Sequence, residues 1–205
     1  MIVRPVAIEV PGSARLLRGE ARVRDLSLRA RDAVAHSAIL AGLSVPEFKQ
    51  DEFGRPLPSR GVHWSVAHKT TMVAGVAAPE PIGVDIETIR PRSQEQIDAA
   101  MRPEELEELG GDPVHAYFCG WVAKEAILKR MGEGLRRLSK TRIVEAWSNG
   151  AWVEFDDRQL LVSYAFLSGH VAAVTWPSSQ VEWSVMLDDA PSSMFAPVDF
   201  AELVA

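Results

Sequence analysis

At 205 residues, 47% hydrophobic and 24% charged, the chain holds enough apolar material for one large domain or two small ones that need no covalent staples. Its formal net charge of −6 excludes a protein dominated by nucleic-acid binding, and its single cysteine, Cys119, excludes an internal disulfide and a thiolate metal cluster. Four of those charges fall in the last eighteen residues, where Asp188, Asp189, Asp199 and Glu202 meet no Lys or Arg, so basic clusters can persist elsewhere.

Ile2 to Val10 reads as a strand, and Pro5 in its middle places it at a sheet edge. A strand here, instead of a basic and then apolar leader, with no apolar run of membrane-spanning length, predicts a cytoplasmic protein without a membrane partner. Residues 13–43 are rich in Arg and helical in pattern, with Ser27 a cap for the longer helix and Gly42 its end. Phe53-Gly-Arg55-Pro is a tight connection. Val62 to Ala67 and Met72 to Ala78 then form a hairpin that carries His68 and Lys69 at its turn. Next comes the run Gly83-Val84-Asp85-Ile86-Glu87. Alternation on a strand turns Asp85 and Glu87 to one face and Val84 and Ile86 to the other.

Beyond Arg90-Pro91 the pattern becomes helical. Pro103 with Glu104 and Glu105 starts one helix and Gly110-Gly111 stops it, while Asp112-Pro113 opens another that runs to Met131 and ends at Gly132. From Arg142 onward the chain reads as strands, with a turn at Asn149-Gly150. Each half has a helix, paired strands and one more strand. The expected fold is therefore α+β: two similar lobes, residues 1–90 and 91–187, each a small antiparallel sheet packed with helices, with the ligand site between them. Residues 188–205 read as a loosely ordered acidic tail.

Two carboxylates side by side repel unless a cation takes up their charge. In the long helix a spacing of four sets Trp121, Glu125 and Lys129 on one face, so Glu125 can join Asp85 and Glu87 in an all-oxygen cage suited to Mg²⁺, with Mn²⁺ a possible substitute. A solvated strand face explains Asp85 and Glu87 about as well, and an ordinary surface pair explains Glu125 and Lys129. Neither explains the glycines of Gly132-Glu133-Gly134-Leu135 just after them.

These residues resemble a family. Gly83-Val84-Asp85-Ile86-Glu87 followed by Trp121-x-x-Lys124-Glu125-Ala126-x-x-Lys129-x-x-Gly132-x-Gly134-Leu135 is similar to the two signature motifs of the 4′-phosphopantetheinyl transferases, and Trp64-Ser-Val-Ala-His68 to a third. Two similar halves in one chain resemble the monomeric surfactin-type group. The resemblance implies transfer of phosphopantetheine from coenzyme A to a serine of an acyl or peptidyl carrier protein, with release of adenosine 3′,5′-bisphosphate and no nucleic-acid partner. It implies Asp85, Glu87 and Glu125 as Mg²⁺ ligands, with Glu125 also the base. Lys124 and Lys129 would sit against the pyrophosphate, and His68 against the 3′-phosphate of the co-substrate, with Arg55 near it and Arg29 or Arg31 as looser matches. Ala67 and Lys69 depart from the family pattern, which usually has serine and a small hydroxyl residue there, and Lys69 stands in as a point charge for that phosphate. Two other readings remain in play: a non-catalytic module that binds coenzyme A or a carrier protein, and a Mg²⁺-dependent phosphodiesterase or nuclease using the same acids.

Overall fold

In the computed structural model, which describes residues 1–187 and 196–197, two five-stranded sheets pack face to face between two long helices. The chain runs β1 (Val6–Glu9), α1 (Gly12–Arg15), α2 (Gly19–Leu40), β2 (His63–His68), β3 (Met72–Ala78), β4 (Val84–Thr88), α3 (Gln94–Asp98), α4 (Pro103–Leu109) and α5 (Pro113–Arg130). A 3-10 turn at Leu135–Lys140 leads to β5 (Thr141–Trp147), β6 (Gly150–Phe155), β7 (Arg158–Leu167), β8 (His170–Val174), β9 (Ser184–Met186) and β10 (Ala196–Pro197). The α+β class is as expected. One sheet has the order β10-β9-β1-β3-β2 and the other β4-β8-β7-β6-β5, with every neighbouring pair antiparallel except β1 and β9.

The apolar pattern dictates the layers. In α2 the buried residues Leu26, Ala30, Ala33, Val34, Ser37 and Ala38 form one stripe at helical spacing, and they cover the outer face of the first sheet. Helix α5 is buried on most of its circumference, and its apolar side chains, among them Phe118, Val122 and Ile127, pack on the outer face of the second. Alternation along the strands supplies the inner faces, so that Ala74, Val76 and Ala78 of β3 meet Val84 and Ile86 of β4 and Ala172 and Val174 of β8.

Hydrogen bonding crosses the boundary drawn at residue 90 in both directions. β4, expected to close the first lobe, is registered on β8 from Val84↔Val174 to Thr88↔His170, while β9 returns from the second half to lie along β1. The acidic tail falls outside the described residues, apart from Ala196–Pro197, which pairs with β9. Local details also differ. Ser27 lies inside α2, because the first turn is set at Gly19 after the extended Arg18, and the β5–β6 turn is made by Ser148 and Asn149, with Gly150 already in its strand.

Helix α5 can lie so close to β4 because residue 83 is glycine. A Cβ there would stand 1.9 Å from the Ala126 carbonyl oxygen and 2.7 Å from the Arg130 amide nitrogen, both backbone atoms. Helix α2 crosses β3 at Gly75 in the same manner, where a Cβ would stand 2.5 Å from the Val34 nitrogen. Gly83→Ala is expected to lower stability by about 3 kcal/mol, since the helix must shift to admit the methyl group. Chemical denaturation monitored by circular dichroism measures that loss.

Candidate functional site

The inward register of Val84 and Ile86 leaves Asp85 and Glu87 facing α5. Glu125, one residue past the buried Lys124, completes the cluster: one carboxylate oxygen from each of Asp85, Glu87 and Glu125 lies within 4.8 Å of the other two. Asp85 and Glu87 are buried and Glu125 is half-buried. Asp85 Oδ1 accepts from Lys129 Nζ at 2.7 Å, whereas its Oδ2 is buried with no hydrogen-bond partner. An orphaned carboxylate oxygen beside two further carboxylates is costly unless a cation meets it. The donor set is all oxygen, which fits a hard divalent ion such as Mg²⁺.

Two lysines partly neutralise the acids. Lys129 Nζ donates to the carbonyls of Val66 at 3.1 Å and Val84 at 3.0 Å as well as to Asp85, so its three N–H groups tie β2, β4 and α5 together. Lys69, expected against a phosphate, places its ammonium 2.5 Å from Glu87 Oε1. The hairpin that carries it is braced twice: the Lys69 amide donates to the Met72 carbonyl, and the Thr71 hydroxyl bonds His170 Nε2 at 2.7 Å. His170 Nδ1 faces the carbonyls of Leu167 and Ser168, an arrangement that puts the proton on Nδ1 and makes Nε2 the acceptor from Thr71.

Desolvation first, and then the Asp85 charge, push the Glu125 carboxyl up from 4.5 to about 7, against the opposing pull of Lys129 and Lys69. A group that binds a proton more tightly when folded favours folding below its unfolded pKa, and that advantage is lost as pH rises through its folded value. Chelator-treated protein is therefore expected to lose stability between about pH 4.5 and pH 7 by up to about 3 kcal/mol, less the share that solvent screens at this part-exposed carboxyl. Denaturation at pH 5 and pH 8 reads the difference, and Glu125→Gln abolishes it.

The other expected site residues divide. Arg55 lies in a turn fixed by Asp51, whose Oδ1 accepts from the amides of Phe53 and Arg55, and it shares with Lys129 and Gly132 the wall of a cavity of about 200 Å³. His68 is exposed at the end of β2, next to Lys69. Lys124 does not join them. It is 2% exposed, and its ammonium donates to Glu105 Oε2 at 2.6 Å and to the Ala100 carbonyl at 3.1 Å. At about 100° of rotation per residue, Lys124 and Glu125 leave α5 in different directions, and the former points at α4. Arg29 bonds Asp25 one turn back in α2, and Arg31 is half-buried on the same helix; neither has a described contact with the acids.

Glu105 went unread as a key residue because it sits in an acidic run that looks solvated. It is 1% exposed, and it accepts from Lys124, from the Arg102 amide and from the Ile143 amide, joining α4, α5 and β5. A visible signal was its position three residues after Arg102, where an acid caps the first turn of a helix. A larger cavity of about 910 Å³ lies apart from the acids, walled by His115, Cys119, Tyr164, Phe166 and Trp183 among others. Burial pushes the Cys119 thiol up to about 12, so it stays protonated and behaves as a small apolar group.

Residues 81–180, which include β4, α5 and β8 and hence all three acids, match the family model of the 4′-phosphopantetheinyl transferase superfamily. The resemblance to that superfamily covers those 100 of the chain's 205 residues. Among similar proteins, a 4′-phosphopantetheinyl transferase of Bacillus subtilis is 32% identical over 124 residues, covering 55% of this chain and 52% of the relative. One from Aneurinibacillus migulanus is 25% identical over 97 residues, covering 43% and 39%. A third, from Bacillus pumilus, is 32% identical over 85 residues, covering 40% and 36%. The chain thus spans about half the length of the first of these relatives, and less of the others. No helix among the described residues is long and apolar enough to cross a membrane.

Proposed function

We propose that this protein transfers the 4′-phosphopantetheine group of coenzyme A to a serine hydroxyl of an acyl or peptidyl carrier protein, in a Mg²⁺-dependent reaction that releases adenosine 3′,5′-bisphosphate. The observation that carries this reading is the acid cluster itself: three carboxylates from β4 and α5, one with a buried oxygen lacking any partner, in the stretch that matches the superfamily. Asp85, Glu87 and Glu125 would hold the ion, which when bound supplies charge neutralisation for the pyrophosphate.

The chain's own groups do the rest. Glu125, half-buried beside Asp85 and Glu87, accepts the serine proton as the serine oxygen bonds the phosphorus of the phosphopantetheine arm and the bond to the departing bisphosphate breaks. Lys129, fixed by two carbonyls and Asp85, contributes a positive charge that does not move. Lys69 pairs with Glu87, His68 precedes it in the chain and Arg55 shares a cavity wall with Lys129, and we assign all three to the phosphates of coenzyme A. Lys124 and Arg29 are left out of the site for the contacts described above, and Arg31 because it has no described contact with the acids.

The ligand cleft of this reading lies between two related halves. What supports the relation is a repeated order: β1-β3-β2 with α2 on one sheet, β4-β8-β7 with α5 on the other. In this version the second half opens at β4 and the acids stand on its first strand. The reading also takes the protein as a cytoplasmic monomer. A nuclease needs a basic groove, and the arginines of the N-terminal stretch are partly neutralised in place, Arg15 by Glu9 and Arg29 by Asp25.

Incubation with coenzyme A, Mg²⁺ and an apo carrier protein is expected to add the mass of one phosphopantetheine group to the carrier, seen by intact mass spectrometry. Chelation of the ion is expected to abolish the gain. A carrier unchanged under both conditions, across acyl and peptidyl carriers, would reject the assignment.

A further inference from the structure

We propose that Lys69 is a displaceable counter-ion: its ammonium neutralises Glu87 until a divalent cation takes that position, and the released ammonium then turns to the anionic ligand. This rests on the reading of the acid cluster as a metal centre.

The two lysines at the cluster are held in opposite ways. Lys129 projects from a packed helix and has an acceptor for each of its three N–H groups, two of them backbone carbonyls that would be stranded if it left. Lys69 projects from a hairpin turn, its one described partner is Glu87, and its side chain is 35% exposed against 9% for the glutamate. A flexible four-carbon stem carrying a compact charge can swing at little cost when one end of its only pair is taken. Glu87, by contrast, is held within β4 by its register with Val171.

Charge balance points the same way. With all three carboxylates ionised, Lys129 leaves the cluster two negative charges, which one divalent cation matches. Lys69 is then the surplus positive charge, with an ion competing for the same Glu87 oxygen. A phosphate arriving beside His68 offers the ammonium a new partner. Lys69 therefore opposes the ion when it binds alone and assists when ion and phosphate bind together, which couples the two affinities reciprocally.

The test uses the full chain, Mn²⁺ detected by electron paramagnetic resonance, and adenosine 3′,5′-bisphosphate as the anionic probe. Lys69→Met is expected to bind Mn²⁺ on the order of five- to tenfold more tightly than wild type when no bisphosphate is present. The tightening of Mn²⁺ by bisphosphate is expected to shrink by a similar factor, while Lys69→Arg stays near wild type on both counts. Equal or weaker Mn²⁺ binding by Lys69→Met, in a variant that unfolds at the wild-type temperature, would overturn the proposal and leave the metal centre standing. Absence of Mn²⁺ binding in both wild type and Lys69→Met would overturn the metal centre and this proposal together. Tighter binding with unchanged bisphosphate coupling would overturn the handover of the ammonium to the phosphate.

Discussion

Glu125→Gln is expected to lower kcat for phosphopantetheine transfer by about 10³-fold or more, with native circular dichroism and little change in KM for coenzyme A. The substitution removes one of three carboxylates and the proton acceptor in a single step, yet keeps the shape of a side chain that no described hydrogen bond holds. Single-turnover assays with a carrier protein separate the chemical step from binding. In the same variant Mn²⁺ affinity is expected to fall and its pH dependence to flatten, because wild-type Glu125 must give up a proton, held until about pH 7, before the ion can bind. Retention of more than a tenth of wild-type kcat would remove Glu125 from the chemistry.

The second large effect is on stability. Glu105→Ala is expected to cost about 3–5 kcal/mol, because it leaves the Lys124 ammonium buried without its carboxylate and strands the amides of Arg102 and Ile143. The double change Glu105→Leu with Lys124→Met is expected to recover much of that loss, since two apolar side chains of similar volume carry no unpaired charge. Denaturant titration of the single and double variants reads both numbers. A Glu105→Ala protein within 1 kcal/mol of wild type would mean that solvent reaches the pair freely.

Both expectations bear on what the sequence discloses. The face shared by Glu125 and Lys129 was legible because a spacing of four is a local property of any helix, and alternation along β4 likewise placed Asp85 opposite to Ile86. Lys124 was misplaced because adjacency in a motif hides rotation: the next residue on a helix looks elsewhere, and its partner Glu105 lies 19 positions away. The capping position of Glu105 marks a helix start but not the distant Lys124 it pairs with, so Glu105 passed as one more charge among Glu104, Glu107 and Glu108. Sheet membership was equally hidden. The residues of β4 specify a strand and a buried face, but whether β3 or β8 accepts its hydrogen bonds depends on how the halves pack. Lys69 carried a signal, its departure from the family pattern, and only the geometry gave that departure a partner.

The crossing of β4 and β9 between sheets bears on how the molecule assembles and fails. Neither half completes its hydrogen-bond ladder alone, since the first needs a strand from the far end of the chain and the second opens with one made long before its neighbours. During synthesis β4 waits for some eighty residues, as an open edge, until β8 exists to receive it. Fragments cut at residue 90 inherit that edge permanently and should aggregate, whereas the intact chain melts as one interlocked unit in a single cooperative transition.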